Sequence, residues 1–419
     1  MKGAAMSNSP TAEATAERVA RQSYGKLVAF LAARSRDVAS AEDALAEAFA
    51  AALQQWPQTG PPDNPESWLL TVARRKQIDA ARRAKTGVLA EPHLQLMEEE
   101  LAEAGASEVF VPDQRLGLMF ACAHPAIDPG VRTPLILQTV LGFDAAAIAS
   151  AFLVSPTAMG QRLVRAKAKI KAAGIPFEIP GPEALAERLD AVLDAIYACF
   201  SDGWADATGS EPARREHSGE AIWLGQLVAG MLPQEPEALS LLALMLFADS
   251  RRGARRDDAG NYVPLSEQDP SRWEAAKVNE AEALLVGAGR LAGLGRFQLL
   301  AAIQGVHAAR RVTGRIDWDV IMQLYDALLS ITQSPVVAIN RAVAVAEACG
   351  PDEGLTALTA IPETPALAQY QPYWAAKAGL LARCGHVQAA DEAFSVAIGL
   401  ETDPAVRAFL QKRRQALRH

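Results

Sequence analysis

Apolar residues recur along this chain at three- and four-residue intervals and almost nowhere at every second position. Helices are therefore expected throughout, and no convincing set of alternating strands emerges. Over 41–56, Leu45, Ala48, Phe49, Ala52, Leu53 and Trp56 fall on one helical stripe. A Pro-rich loop at 57–63 follows, and Asn64-Pro65 opens a second helix in which Trp68, Leu69, Val72, Ala73 and Ala80 can face inward. The clearest punctuation lies further on. Gly142 stops one helix, Asp144 caps a short second one, and Ser155-Pro156 supplies a hydroxyl cap followed by a residue that needs no N–H. In the helix that begins there, Met159, Leu163, Ala166 and Ile170 form one apolar stripe, with Thr157, Gln161 and Arg165 opposite and Arg162 and Lys169 flanking.

Charge changes this picture more than bulk composition does. The 419 residues carry a formal net charge of −8, which argues against nucleic acid if averaged over the chain. Residues 1–176 hold 19 Lys+Arg and 18 Asp+Glu, whereas residues 177–419 hold 22 and 31, so the acidity sits in the second part. In the first part the basic residues gather on two helices. One bears Arg74, Arg75, Lys76, Arg82, Arg83 and Lys85, with a single acid, Asp79, over 74–85; the other bears Arg162, Arg165, Lys167, Lys169 and Lys171, with no acid over 156–171. The 41–56 helix is acidic at Glu42, Asp43 and Glu47. A short helix, a tight turn and a basic second helix is how a helix-turn-helix presents a recognition helix to the major groove, although an ordinary bundle can contain the same pair. Basic grooves track phosphates, and aromatic pockets receive unstacked bases.

The ordered blocks AEDALAEAF, NPESWLLTVARRKQIDAARR and LILQTVLGFDAAAIASAFLVSPTAMGQRLVRAKAKIK resemble a bacterial RNA polymerase sigma factor of the extracytoplasmic-function type. The stretch from about Glu183 onward, with LLALMLFADSRRGARRDDAGNYVPLSEQDPSRW and SPVVAINRAVAVAEACGP, resembles the tetratricopeptide-like extension of one subgroup. The resemblance implies an all-α protein made of two small helical domains for polymerase and DNA, the second a helix-turn-helix, plus a C-terminal solenoid-like helical bundle. The expected divisions are a mobile tail at 1–20, a promoter-melting domain (region 2) at 21–85, a linker at 86–108, a −35 domain (region 4) at 109–177 and the extension at 183–419.

The resemblance also implies roles. Glu42, Asp43 and Glu47, with Leu45 and Phe49 behind them, dock core polymerase. Trp56, Asn64 and Trp68, with Arg74, Arg75, Lys76, Arg82 and Arg83, engage the −10 element. Thr157, Ala158, Gln161 and Arg162 read the −35 element, while Arg165, Lys167 and Lys169 hold its phosphates. The expected activity is promoter-specific initiation by the polymerase, regulated by the extension, which has room for an intramolecular or protein partner; its acidic surface is expected to compete with DNA for the basic helices. The alternative is a free-standing helix-turn-helix regulator with a protein-binding helical-repeat domain.

The C-terminal part contains one readable tetratricopeptide-like unit in Trp374, Ala378, Gly385, Ala390, Phe394 and Ala397, although Lys377 and Pro404 depart from that pattern. Arg251, Arg252, Arg255 and Arg256, followed by Asp257 and Asp258, either bind phosphate or an acidic partner or pair internally, and internal pairing is expected. Glu267, Asp269, Arg272 and Trp273 read better as a cap and a stacking indole than as a catalytic carboxylate set. No hydrolase, zinc-protease, P-loop or dinucleotide fingerprint is visible, so no catalytic residue, cofactor or metal is expected. Cys122, Cys199, Cys349 and Cys384 are scattered and read as reduced, buried thiols. No targeting segment is visible, and the apolar run 238–248 is too short to span a bilayer, so a cytoplasmic, nucleoid-associated protein is expected.

Overall fold

The computed structural model describes residues 11–84, 113–152, 154–205 and 212–418, and they divide into two compact units, residues 1–199 and 200–419. Both are helical. Among the described residues there is no strand, and one isolated bridge joins Arg256 to Tyr262.

The first unit begins with α1 (Ala12–Ser35), α2 (Val38–Thr59) and α3 (Pro65–Ala84). Helix α1 starts where a mobile tail was expected. Thr11 caps it, and Ala16 and Val19 are already buried, so the ordered structure reaches back to residue 11. Asp37 caps α2 by accepting from the Ser40 N–H at 3.1 Å. The helix runs through Pro57 and ends at Gly60, whose φ of 80° lies in the left-handed region, so the expected loop at 57–63 shrinks to a few residues. Asn64 accepts from the Ser67 N–H at 3.1 Å and caps α3. The buried face of α3 is turned from the expected one: Leu69, Leu70, Ala73, Gln77 and Ile78 are buried, Trp68 and Val72 are half-buried, and Ala80 is exposed.

The same unit continues through α4 (Arg115–Cys122), α5 (Pro129–Thr139), α6 (Ala145–Ala151) and α7 (Pro156–Ala173). The expected linker at 86–108 lies outside the described residues. Helices α1 and α4 pack together, as do α2 and α7, so the two expected small domains form one body. Gly25 shows how close the approach is: a Cβ there would lie 1.9 Å from the Val140 carbonyl oxygen. Helix α8 (Pro182–Ala205), up to Cys199, completes the unit. Buried Arg132 donates to the Ile127 and Pro125 carbonyls and, across to α8, to the Glu187 carbonyl at 3.2 Å. A domain boundary at 183 would cut this packing; the unit extends to Cys199.

The second unit is a succession of helices, most packing chiefly on their neighbours in sequence, with α12 packed chiefly on α10. They are α9 (Pro212–Met231), α10 (Pro236–Ser250), α11 (Ala275–Gly289), α12 (Arg296–Thr313), α13 (Trp318–Thr332), α14 (Pro335–Ala348), α15 (Pro351–Thr359), α16 (Pro365–Ala368), α17 (Gln371–Arg383), α18 (Val387–Leu400) and α19 (Pro404–Gln415). Helix α10 carries the apolar run noted in the sequence and is buried over nearly its whole length. Helices α17 and α18 form a hairpin about Gly385, whose φ is 79°. Ala378, Ala390, Phe394 and Ala397 share one buried cluster, with Trp374 packed against it. Proline 404 opens α19 at a position that needs no N–H. Among the described residues, no helix is long and apolar enough to cross a membrane.

Candidate nucleic-acid interface

The α6–α7 helix pair is built by its caps. Asp144 accepts from the Ala146 and Ala147 N–H groups at 2.8 and 2.7 Å, and Ser155 accepts from the Ala158 N–H at 3.3 Å. Such caps are each worth about 1 kcal/mol, and they fix where α6 and α7 begin. Gly174, with φ of 59°, ends α7. Met159, Leu163, Ala166 and Ile170 are its buried residues, the stripe expected from the sequence. The opposite surface carries exposed Thr157, Gln161, Arg162, Arg165 and Lys169, with Ala158 partly buried. Arg165 Nε donates to the Gln161 carbonyl at 3.2 Å, which aligns its guanidinium along the helix.

Lys167 is placed differently. It is only 11% exposed, and its Nζ lies 2.6 Å from Glu42 Oε2 and 2.8 Å from Oε1. Burial pushes the Glu42 carboxyl above its usual range, and Lys167 pulls it back. Tyr24 beside it is pushed up to about 12, first by burial and then by the charges of Glu42 and Asp43. The clasp is extended by Lys171 on Asp37 at 2.6 Å and by Arg36, which donates to the Gly174 carbonyl at 3.4 Å. Lys171 is well exposed, so its pair contributes little. The sheltered Glu42–Lys167 pair matters more, because removing one partner strands the other at a cost on the order of 3 kcal/mol. Two residues assigned to separate partners, Glu42 to polymerase and Lys167 to DNA, are here each other's partner.

On α2, Leu45 is 0% exposed and Trp56 2%, so both are core residues and their side chains contact neither polymerase nor DNA in this state. The reason lies in the stripe itself, which places both on the face turned toward α1 and α3. Trp56 packs edge-on against Trp68, with ring centroids 5.4 Å apart. Asp43 and Glu47 are exposed and Phe49 is half-buried. Leu53, expected inside, is 50% exposed and lies one helical turn beyond Phe49, so it extends an apolar strip beside the acids. That strip was obscured in the sequence because Leu53 also fits the inward pattern.

On α3, Arg75 is exposed, while Lys76 pairs with Glu47 at 2.9 Å. Arg74 lies over the Phe30 ring at 4.8 Å, and burial, with Arg34 nearby, lowers its affinity for its proton. The side chains of Arg82 and Arg83 lie outside the described residues. Asn64 is exposed but is committed to its cap. No cluster of His, Cys, Asp and Glu among the described residues can hold a metal ion. None of the four cysteines forms a disulfide; Cys122 and Cys199 are buried, but Cys349 is exposed, against expectation.

Comparison with known proteins adds two matches within the chain and one along it. Residues 19–86 match sigma-70 region 2, the span that α1 to α3 occupy. Residues 188–289 match a family of unknown function, DUF6596. An uncharacterized protein of Rhizobium meliloti (strain 1021) is 38% identical over 395 residues, covering 93% of this chain and 92% of that protein. No solved structure matches the chain.

Proposed function

We propose that this chain, which belongs to one family with the Rhizobium meliloti protein and carries sigma-70 region 2, is an alternative sigma factor of the extracytoplasmic-function type. Region 2 gives it a sigma-factor-like role in RNA polymerase binding. In this reading the exposed Asp43 and Glu47 with Phe49 and Leu53 dock the polymerase core, charge setting orientation and the apolar strip adding affinity. Arg75, with Arg82 and Arg83, tracks promoter phosphates near the −10 element. Thr157, Gln161 and Arg162 read base edges of the −35 element, and Arg165 and Lys169 grip its backbone. The polymerase performs nucleotide addition, and the chain acts in the cytoplasm at the nucleoid. The C-terminal unit, with its tetratricopeptide-like hairpin, regulates initiation.

The observation that carries this reading is the sigma-70 region 2 match joined in one chain to a capped helix pair, α6 and α7, whose outward face is basic. The clasp adds a step. Glu42 and Lys167 neutralise each other, so polymerase and promoter have to separate α2 from α7 before both act at once. Co-migration with purified core polymerase tests the docking face: Asp43→Lys with Glu47→Lys abolishes it, while Arg162→Ala with Arg165→Ala preserves it and loses promoter selection. Specific −35 duplex binding without polymerase, indifferent to Asp43 and Glu47, would point instead to a free-standing regulator.

A further inference from the structure

The segment between α10 and α11 forms a loop of short turns that the rest of the second unit encloses. Arg255 donates to the Trp204 carbonyl at the end of α8, Arg252 to Ser218 of α9 at 2.6 Å, and Arg256 pairs with Asp403 at the start of α19. Arg310 of α12 donates to the Ser266 carbonyl at 2.9 Å and to those of Leu265 and Gln268. Tyr262 packs edge-on against Phe409 at 5.5 Å. Positive charge therefore collects inside a unit whose overall composition is acidic.

The expected internal pairing accounts for only part of that charge. Asp249 takes Arg252 at 2.8 Å and Lys277 at 2.7 Å, and Asp403 takes Arg256. Asp257 is spent on its own turn, accepting from the Asn261 and Ala259 N–H groups at 2.8 and 3.0 Å, and Asp258 is 97% exposed and reaches only Arg272. Arg251 and Arg255 form no ion pair among the described residues, although Asp403, which Arg256 takes, lies within electrostatic reach of Arg255. Arg255 spreads over the Trp204 ring at 4.2 Å, and Arg251 lies 6.0 Å from the same ring, its guanidinium making no hydrogen bond among the described residues. Burial and Arg255 push the Arg251 guanidinium down to about 10. His307, within electrostatic reach of Arg251 and Arg310, holds a buried Nδ1 that has no partner. Arg256 Nε is also buried and unpartnered. Arg251 and Arg255 are themselves partly buried, and a guanidinium drawn partly out of water without a counter-charge is costly to keep.

We propose that this turn is a binding site for a small oxyanion, a phosphate or a carboxylate, held by Arg251 and Arg255 with Tyr262 and His307 beside them. A guanidinium fork matches either oxyanion in shape and charge. The partly sheltered position of both arginines, between the end of α8, α9, α12 and α19, suits a small ion or a small molecule that ends in one. The site does not depend on the transcriptional reading, and it gives the C-terminal unit something to sense.

Thermal unfolding of the full chain tests it, with inorganic phosphate, a phosphate monoester, acetate and chloride compared at equal ionic strength. Phosphate, its monoester or acetate raises the midpoint saturably and beyond chloride, and which of them acts best distinguishes a free ion from a larger phosphate and either from a carboxylate. Arg251→Gln leaves the ligand-free midpoint unchanged or higher, because an unpaired charge is gone, yet needs at least about tenfold more ligand for the same shift. Arg255→Lys keeps the charge and weakens the response similarly through loss of the fork. Equal responses to all the anions, or an Arg251→Gln protein that responds at the parent's concentrations, would overturn the proposal.

Discussion

Arginines on α7 and arginines in the turn at 251–256 carry the same charge into opposite settings. Arg162 and Arg165 stand in water on a helix whose apolar stripe does the folding, so they cost the fold nothing and remain available. Arg251 and Arg255 sit against Trp204 inside the second unit, where every uncompensated charge weakens the fold. The contrast separates two kinds of ligand. An exposed basic face suits an extended polyanion and binds it in a salt-dependent way. An enclosed one suits a small ion that restores the missing counter-charge. Between these extremes lies Lys167, on the exposed helix yet sheltered by Glu42.

Substitutions can break this comparison. The largest effect is expected at the buried aromatic once assigned to DNA. Trp56→Ala should cost about 3–5 kcal/mol of stability by urea unfolding; a stable variant that fails only at promoter opening would return Trp56 to the interface. Next comes DNA affinity. Arg162→Ala with Arg165→Ala should lose about 1–3 kcal/mol per base-reading contact in anisotropy titrations, with stability unchanged to within about 0.5 kcal/mol.

His307 supplies a pH handle on the enclosed site. Burial, with Arg251 and Arg310 nearby, lowers it from 6.5 to about 4 in the folded state. The unfolded chain therefore takes up the proton first on acidification. The contribution is fully present above about pH 6.5 and is lost as pH falls toward 4, amounting to on the order of 3 kcal/mol. Urea midpoints measured across that window should flatten in His307→Gln, and an unchanged slope would remove the argument. The smallest effect is the clasp's. Glu42→Lys and Lys167→Glu should each destabilise the protein, while the swapped double variant should recover about 1–3 kcal/mol of coupling in a double-mutant cycle; strict additivity would mean that the pair does not join α2 to α7.

What the sequence made legible was local. Asp144, Ser155-Pro156 and the Met159–Leu163–Ala166–Ile170 stripe specify α6 and α7 through neighbours a few residues away, and the structure follows them. The bounds of α2 and α3 were nearly readable for the same reason, except where Pro57 was taken for a breaker, whereas α1 was not read as a helix and its start was taken for a tail. Partnerships between distant positions were not legible. Glu42 and Lys167 stand 125 positions apart, and no local pattern couples them. Leu53 and Leu45 share a stripe in the sequence, yet one is exposed and the other sealed, because the width of the buried face is set by α1 and α3 rather than by α2 alone. The arginines at 251–256 looked internally paired because acids follow them directly. The fold sends Asp257 to its own turn and Asp258 to solvent, and draws the counter-charges from Asp249 and Asp403 instead.

Run-off transcription with purified core polymerase on a promoter library tests the central claim most directly. The account predicts discrete transcripts that require the protein, share one pair of upstream elements and vanish for Arg162→Ala with Arg165→Ala and for Asp43→Lys with Glu47→Lys. A protein that yields no specific transcript with core polymerase, or transcripts indifferent to both pairs of substitutions, would contradict it.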